Sequence, residues 1–115
     1  MTAFERALQL GETAGGIDVA FDASYGVMRL NWQRGAYGAA IAYVIKAIEF
    51  AERLGDDQKQ IKALWGMYSL LFDAGDLRGA RRAIASLATR IAPSDQKNTF
   101  FLHLNRGALE LSEGR

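Results

Sequence analysis

The sequence predicts an all-α chain of tandem helical hairpins that recur about every 40 residues. Three observations carry this. Apolar residues repeat at helical spacing through long stretches that hold no proline, Pro93 being the only one. Glycines punctuate those stretches at regular intervals. The signals of β-hairpins, β-branched clusters flanking Asn-Gly turns, are absent.

The elements follow in order. From Ile17 to Trp32 the apolar positions are Ile17, Ala20, Phe21, Tyr25, Met28 and Trp32, one helix stripe. From Tyr37 to Leu54 the stripe is Ala40, Ile41, Val44, Ile45, Ile48 and Ala51, and from Ile61 to Phe72 apolar residues are nearly continuous. Turn signals fall at Gly15-Gly16, Gly35, Leu54-Gly55-Asp56-Asp57, Gly75-Asp76, Pro93-Ser94-Asp95 and Gly114. Glycine closes a helix by adopting the left-handed conformation. Asp56, Asp76 and Ser94 stand where a side chain accepts from the free N–H groups that open the next helix. The spacing therefore predicts six helices, at 2–14, 17–34, 36–54, 57–74, 76–92 and 96–113.

The repeat appears at an offset of 40. Ala7, Glu12 and Gly15 meet Ala47, Glu52 and Gly55; Ala23, Gly26, Leu30, Gly35 and Ala40 meet Ala63, Gly66, Leu70, Gly75 and Ala80. Aromatic and aliphatic positions pair as well: Phe21 with Ile61, Tyr25 with Trp65, Trp32 with Phe72, Tyr37 with Leu77. Phe4, Val44 and Ile84 form one series, and Gly75 meets Gly114 at 39. These are the inter-helix glycines and the packing faces, where stacked hairpins must keep residue type. The 115 residues read as one domain, with units at 1–14 (partial), 17–54, 57–93 and 96–115 (partial).

Leu64-Trp65-Gly66-Met67-Tyr68, Gly75-Asp76-Leu77, Ala80 and Pro93 resemble the tetratricopeptide (TPR) pattern, with helices longer than usual. Ala51-Glu52-Arg53-Leu54-Gly55-Asp56, Ala63-Leu64-Trp65-Gly66 and Gly75-Asp76-Leu77 are similar to the helical-repeat tail of large bacterial signalling regulators, over about a third of the chain. The resemblance implies TPR-like α-α hairpins in a short right-handed solenoid. It also implies a role in sensing or assembly, since neither a phosphate-binding loop nor a DNA-binding module is present.

Composition narrows the function. Half the residues are hydrophobic, 23% are charged and the formal net charge is +1, so no global field favours nucleic acid or an anionic membrane. Without cysteine there are no disulfides, thiolate nucleophiles or thiolate metal sites. The opening MTAFERALQLGETAGG has no basic start followed by an apolar run, and no stretch is apolar for a membrane span, so a cytoplasmic protein is expected. Catalysis finds no constellation. His103 lacks a nucleophilic partner and reads as a structural residue on an apolar helix face; Glu49/Glu52 read as a solvated surface and Asp56/Asp57 as a helix start. Neither G-x-x-x-x-G-K-[ST] nor G-x-G-x-x-G occurs. No enzyme activity, cofactor or metal site is expected.

Arg78, Arg81, Arg82 and Arg90 form a basic face that reads as solvated; a docking patch for an acidic partner or nucleic acid is the alternative, weakened for RNA by the lack of interleaved aromatics. The first helix of each hairpin is the stronger lead. By the resemblance it lines a concave face, placing Asp22, Tyr25, Arg29, Trp32 and Gln33 there in one copy and Lys62, Trp65, Ser69, Phe72 and Asp73 in the next. Aromatic walls with scattered polar groups suit a peptide or a helix of a partner protein. The same aromatics could instead pack between hairpins. Asn31 is a polar residue on a stripe that should be buried. The chain opens on a second-helix copy and closes on a first-helix copy whose Phe100, Phe101, Leu102 and Leu104 are apolar, so the terminal helices are expected to pack on further repeats or on a second copy. The expected function is a protein-interaction scaffold; the alternatives are a helical oligomerisation domain without a groove and an RNA-reading repeat.

Overall fold

The computed structural model describes Arg6 and residues 16–113. Residues 16–113 form five helices: α1 (Ile17–Gln33), α2 (Tyr37–Leu54), α3 (Asp57–Asp73), α4 (Leu77–Arg90) and α5 (Gln96–Ser112). No strand occurs among the described residues, so the all-α expectation holds. The predicted helix at 2–14, the matches involving Phe4, Ala7, Glu12 and Gly15, and the match at Gly114 lie outside the described residues.

Helix boundaries recur as the glycines do. α1 and α3 start 40 residues apart (17 and 57) and end 40 apart (33 and 73), and α2 and α4 start 40 apart (37 and 77). The turns repeat in hydrogen-bond detail. Gly35 N–H donates to the Trp32 carbonyl (3.0 Å) and Ala36 N–H to that of Asn31 (2.8 Å); Gly75 and Asp76 donate in the same way to Phe72 (3.1 Å) and Leu71 (2.8 Å). Gly35, Gly55 and Gly75 carry φ of 76°, 63° and 83°, a region in which a Cβ is strained.

Asp56 and Asp76 cap their helices as expected, accepting from Lys59 N–H (3.1 Å) and Gly79 N–H (2.9 Å). The predicted cap at Ser94 is displaced by one residue: Asp95 accepts from Asn98 N–H (3.1 Å), while Ser94 sits inside a turn closed by Asp95 N–H on the Ala92 carbonyl. α4 stops at Arg90, two residues before its predicted end. Ile91 is extended (φ −77°, ψ 121°), on the approach to Pro93, which disfavours helical backbone in the residue before it.

Successive helices pack on one another, α1 on α2, α2 on α3, α3 on α4, and more sparsely α4 on α5. The odd-numbered helices are also linked directly: Tyr25 and Met28 of α1 lie against Gly66 of α3, and Trp65 of α3 bonds to Asn98 of α5. Across α1, α2 and α3 the core is Phe21 and Phe50 among small residues, Ala20, Ala23, Ala47, Ala51 and Ala63, beside a second group of Met28, Ala40, Val44 and Leu70. Alanines facing each other let the helix axes approach closely. The second half is bulkier: Ile61, Leu64, Tyr68, Leu71, Ile84 and Leu87 meet Leu102 and Leu109 of α5. Asn31, half-buried on its stripe, donates to the Val27 carbonyl one turn back (2.9 Å), which satisfies its amide without a distant partner. No helix among the described residues is long and apolar enough to cross a membrane.

Candidate functional site

The odd-numbered helices share one face, and a concavity of about 480 Å³ opens in it. Tyr25 comes from α1, Gln58, Ile61, Lys62, Trp65 and Ser69 from α3, and Lys97, Asn98, Phe101 and Asn105 from α5. The α3 contributors fall at 58, 61, 62, 65 and 69, and those of α5 at 97, 98, 101 and 105, both the spacing of one helix stripe.

Four of the ten residues assigned to this face from sequence, Tyr25, Lys62, Trp65 and Ser69, are brought together there. The Lys62 ammonium lies 4.7 Å from the centre of the Tyr25 ring, a cation–π contact. Burial pushes the Tyr25 phenol above its ordinary value, partly countered by the Arg29 charge. The Trp65 indole N–H donates to Asn98 Oδ1 (3.0 Å), and the Asn98 amide donates to Asp95 Oδ2 (2.7 Å), so one wall is fixed by a chain of bonds from α3 to the cap of α5. The same bonds from Asn98 hold the Asp95 carboxyl below the usual range.

The other six lie elsewhere on the face. Asp22, Arg29 and Gln33 are exposed along α1. Trp32 and Asp73, drawn from different copies of the repeat, bond to each other, indole N–H to Oδ2 at 2.8 Å. Phe72 is half-buried and tilts against Tyr68, with ring centres 5.9 Å apart, so it joins the packing of the second half. Packing and lining thus divide the aromatics between them.

Gln58, Ile61, Lys97, Asn98, Phe101 and Asn105 were not assigned from sequence. A signal for the α5 set exists: an offset of 36 carries Ile61, Lys62, Trp65 and Ser69 onto Lys97, Asn98, Phe101 and Asn105. That is one helical turn short of 40, and α4, at 14 residues, is one turn shorter than α2, at 18. A search at constant period passes over it.

The remaining sequence candidates have plain surroundings. His103 is exposed on α5 and packs in no core, contrary to its reading as a structural residue. Arg81 pairs with Glu113, and Arg90 bonds the buried Gln60 and lies 3.8 Å from Glu52, while Arg78 and Arg82 are exposed. Glu49 is exposed, and among the described residues no three His, Asp or Glu side chains cluster as a metal site would require. No protein-family model matches the chain, and no curated protein matches it.

Proposed function

We propose that the chain is a TPR-like interaction module that holds a peptide segment or a helix of another protein against the face of α1, α3 and α5. In this reading it is a short right-handed solenoid and serves a bacterial regulatory protein in the cytoplasm as a sensing or assembly element. The reading involves no catalysis and no cofactor. The observation that carries it is the concavity in which Tyr25, Lys62, Trp65 and Ser69 meet residues of a third helix, Phe101 among them. Its volume, about 480 Å³, falls within the range of ligand sites. Its lining mixes aromatic surface with a few polar groups, the composition expected of a recognition surface. The recurrence of helix boundaries and turn bonds at 40 residues supports the solenoid.

Panning a displayed random-peptide library on the protein tests this. Recovered peptides should bind in fluorescence anisotropy and lose affinity to Phe101→Ala, a partly exposed residue whose truncation leaves the helix intact. Peptides that bind this variant and the wild type equally would sink the reading.

A second reading, an oligomerisation domain, is favoured by one observation. Phe100, Leu104 and Leu111 of α5 are 63%, 57% and 77% exposed. Light scattering after size exclusion tests it: a stable dimer that Leu104→Glu dissociates would support this reading, and a monomer at high concentration would remove it.

A further inference from the structure

We infer that the occupant of the concavity between α1, α3 and α5 is an acidic peptide segment, one that sets an aspartate or glutamate beside a large apolar side chain. The inference rests on the peptide-binding reading above and names the chemistry of its ligand. The only charged side chains that line the hollow are Lys62, on α3, and Lys97, on α5; no carboxylate lines it. Lys62 is held against the Tyr25 ring, a contact that positions the ammonium without neutralising it. Lys59, one turn back, differs: it lies over the Phe21 ring and 3.7 Å from Asp18, so its charge is matched within the fold. Asp95, the carboxylate nearest Lys97 in sequence, is committed to capping α5 through the backbone and side-chain amides of Asn98.

The neutral polar groups cannot take over recognition of an anion. The Asn98 amide donates to Asp95, and the Asn105 amide donates to the Phe101 carbonyl (2.8 Å). Anion recognition therefore falls on the two ammoniums. Phe101, 38% exposed, and the partly exposed Trp65 supply apolar surface between them. A ligand that matches both must carry negative charge and an apolar side chain close together. A nucleic-acid strand fits less well, because affinity for a phosphate backbone scales with the number of cations that replace its counterions, and the site offers two on a chain of net charge +1.

Three pools of fluorescein-labelled peptides of equal length test this, each built around fixed Leu and Phe positions and flanked by Asp/Glu, by Asn/Gln or by Lys/Arg. Their anisotropy is measured with the full chain at low and high salt, beside a labelled oligothymidylate. The acidic pool should bind about tenfold or more tighter than the basic one at low salt and weaken as salt rises. Lys62→Glu and Lys97→Glu, both at exposed positions and checked for helix content by circular dichroism, should each weaken it by about fivefold. Neutral or basic pools binding as well as the acidic one, and losing affinity to Phe101→Ala, would overturn the charge inference and leave the groove reading standing. No binding by any pool would overturn both. Tighter binding of the oligothymidylate through the same lysines would replace the acidic peptide with nucleic acid.

Discussion

The junction between α1 and α3 and the junction between α3 and α5 join helices of the same kind, yet one is sealed and the other is open. At the first, Phe21 and Met28 are fully buried, and Gly66 lets the α1 side chains approach the α3 backbone closely. Lys59, Lys62 and the Trp32–Asp73 bond close its rim. At the second, α5 buries only Leu102 and Leu109, Trp65 spans to Asn98, and a hollow remains beside them. Small residues explain the difference. Alanines on α1 and α2 bring the axes together, whereas α3 meets α5 through bulky side chains that touch at points and leave space between. The same stripe is core where its neighbour is small and close, and surface where it is not.

The largest effect expected from this contrast is between two phenylalanines. Phe21→Ala should cost about 3–5 kcal/mol in denaturant unfolding, by loss of buried surface and creation of a cavity. Phe100→Ala, at 63% exposure, should stay within about 0.5 kcal/mol. Equal losses would mean that α5 is as tightly packed as α1.

A glycine pair sharpens the contrast by sign. A Cβ on Gly66 would lie 3.1 Å from Met28 Cε, and Met28 is fully buried with little room to give. Gly66→Ala should therefore destabilise by about 1 kcal/mol net, overpacking exceeding the gain in helix propensity. A Cβ on Gly107 meets nothing within 4 Å, so Gly107→Ala in α5 should stabilise by about 0.5–1 kcal/mol. Thermal melts of the two variants should move in opposite directions.

Smaller effects belong to the polar ties. Trp32→Phe removes the indole donor to Asp73 at an exposed site and should cost about 0.5 kcal/mol, leaving Asp73 free to water. The smallest is confined to the start of α5. The Asp95 carboxyl is held below its ordinary value by bonds from Asn98, so its cap is complete above the ordinary carboxylate range and is lost as pH falls through that range toward its lowered value. Hydrogen exchange should show the amides of the first turn of α5 losing protection between about pH 5 and about pH 3. Protection unchanged across that interval would show that the cap contributes nothing to holding α5.

Local order was legible because local forces set it. The turns at Gly35, Gly55 and Gly75 need a left-handed residue, and the caps at Asp56 and Asp76 need a short acceptor three residues before a free N–H; neither depends on the rest of the chain. Hence helix boundaries read from sequence fall within two residues of those observed, and the 40-residue recurrence reappears in the turn bonds. The cap moved from Ser94 to Asp95 because two acceptors stand in a row after Pro93, and the turn that follows decides between them.

The site was legible in part. Tyr25, Lys62, Trp65 and Ser69 were reached because α1 and α3 keep the 40-residue period. Lys97, Asn98, Phe101 and Asn105 were not, because α4 is shorter by a turn and the lining stripe of α5 follows at 36. Sequence alone determined that this chain is helical, where its helices turn and which faces are apolar, since hydrogen bonds within a turn and glycine φ act over a few residues. Only the tertiary structure decided which aromatics pack and which face the hollow. That choice rests on the volumes of side chains 30 to 40 positions apart in the chain, such as Trp32 and Asp73 or Trp65 and Asn98, whose meeting no local pattern encodes.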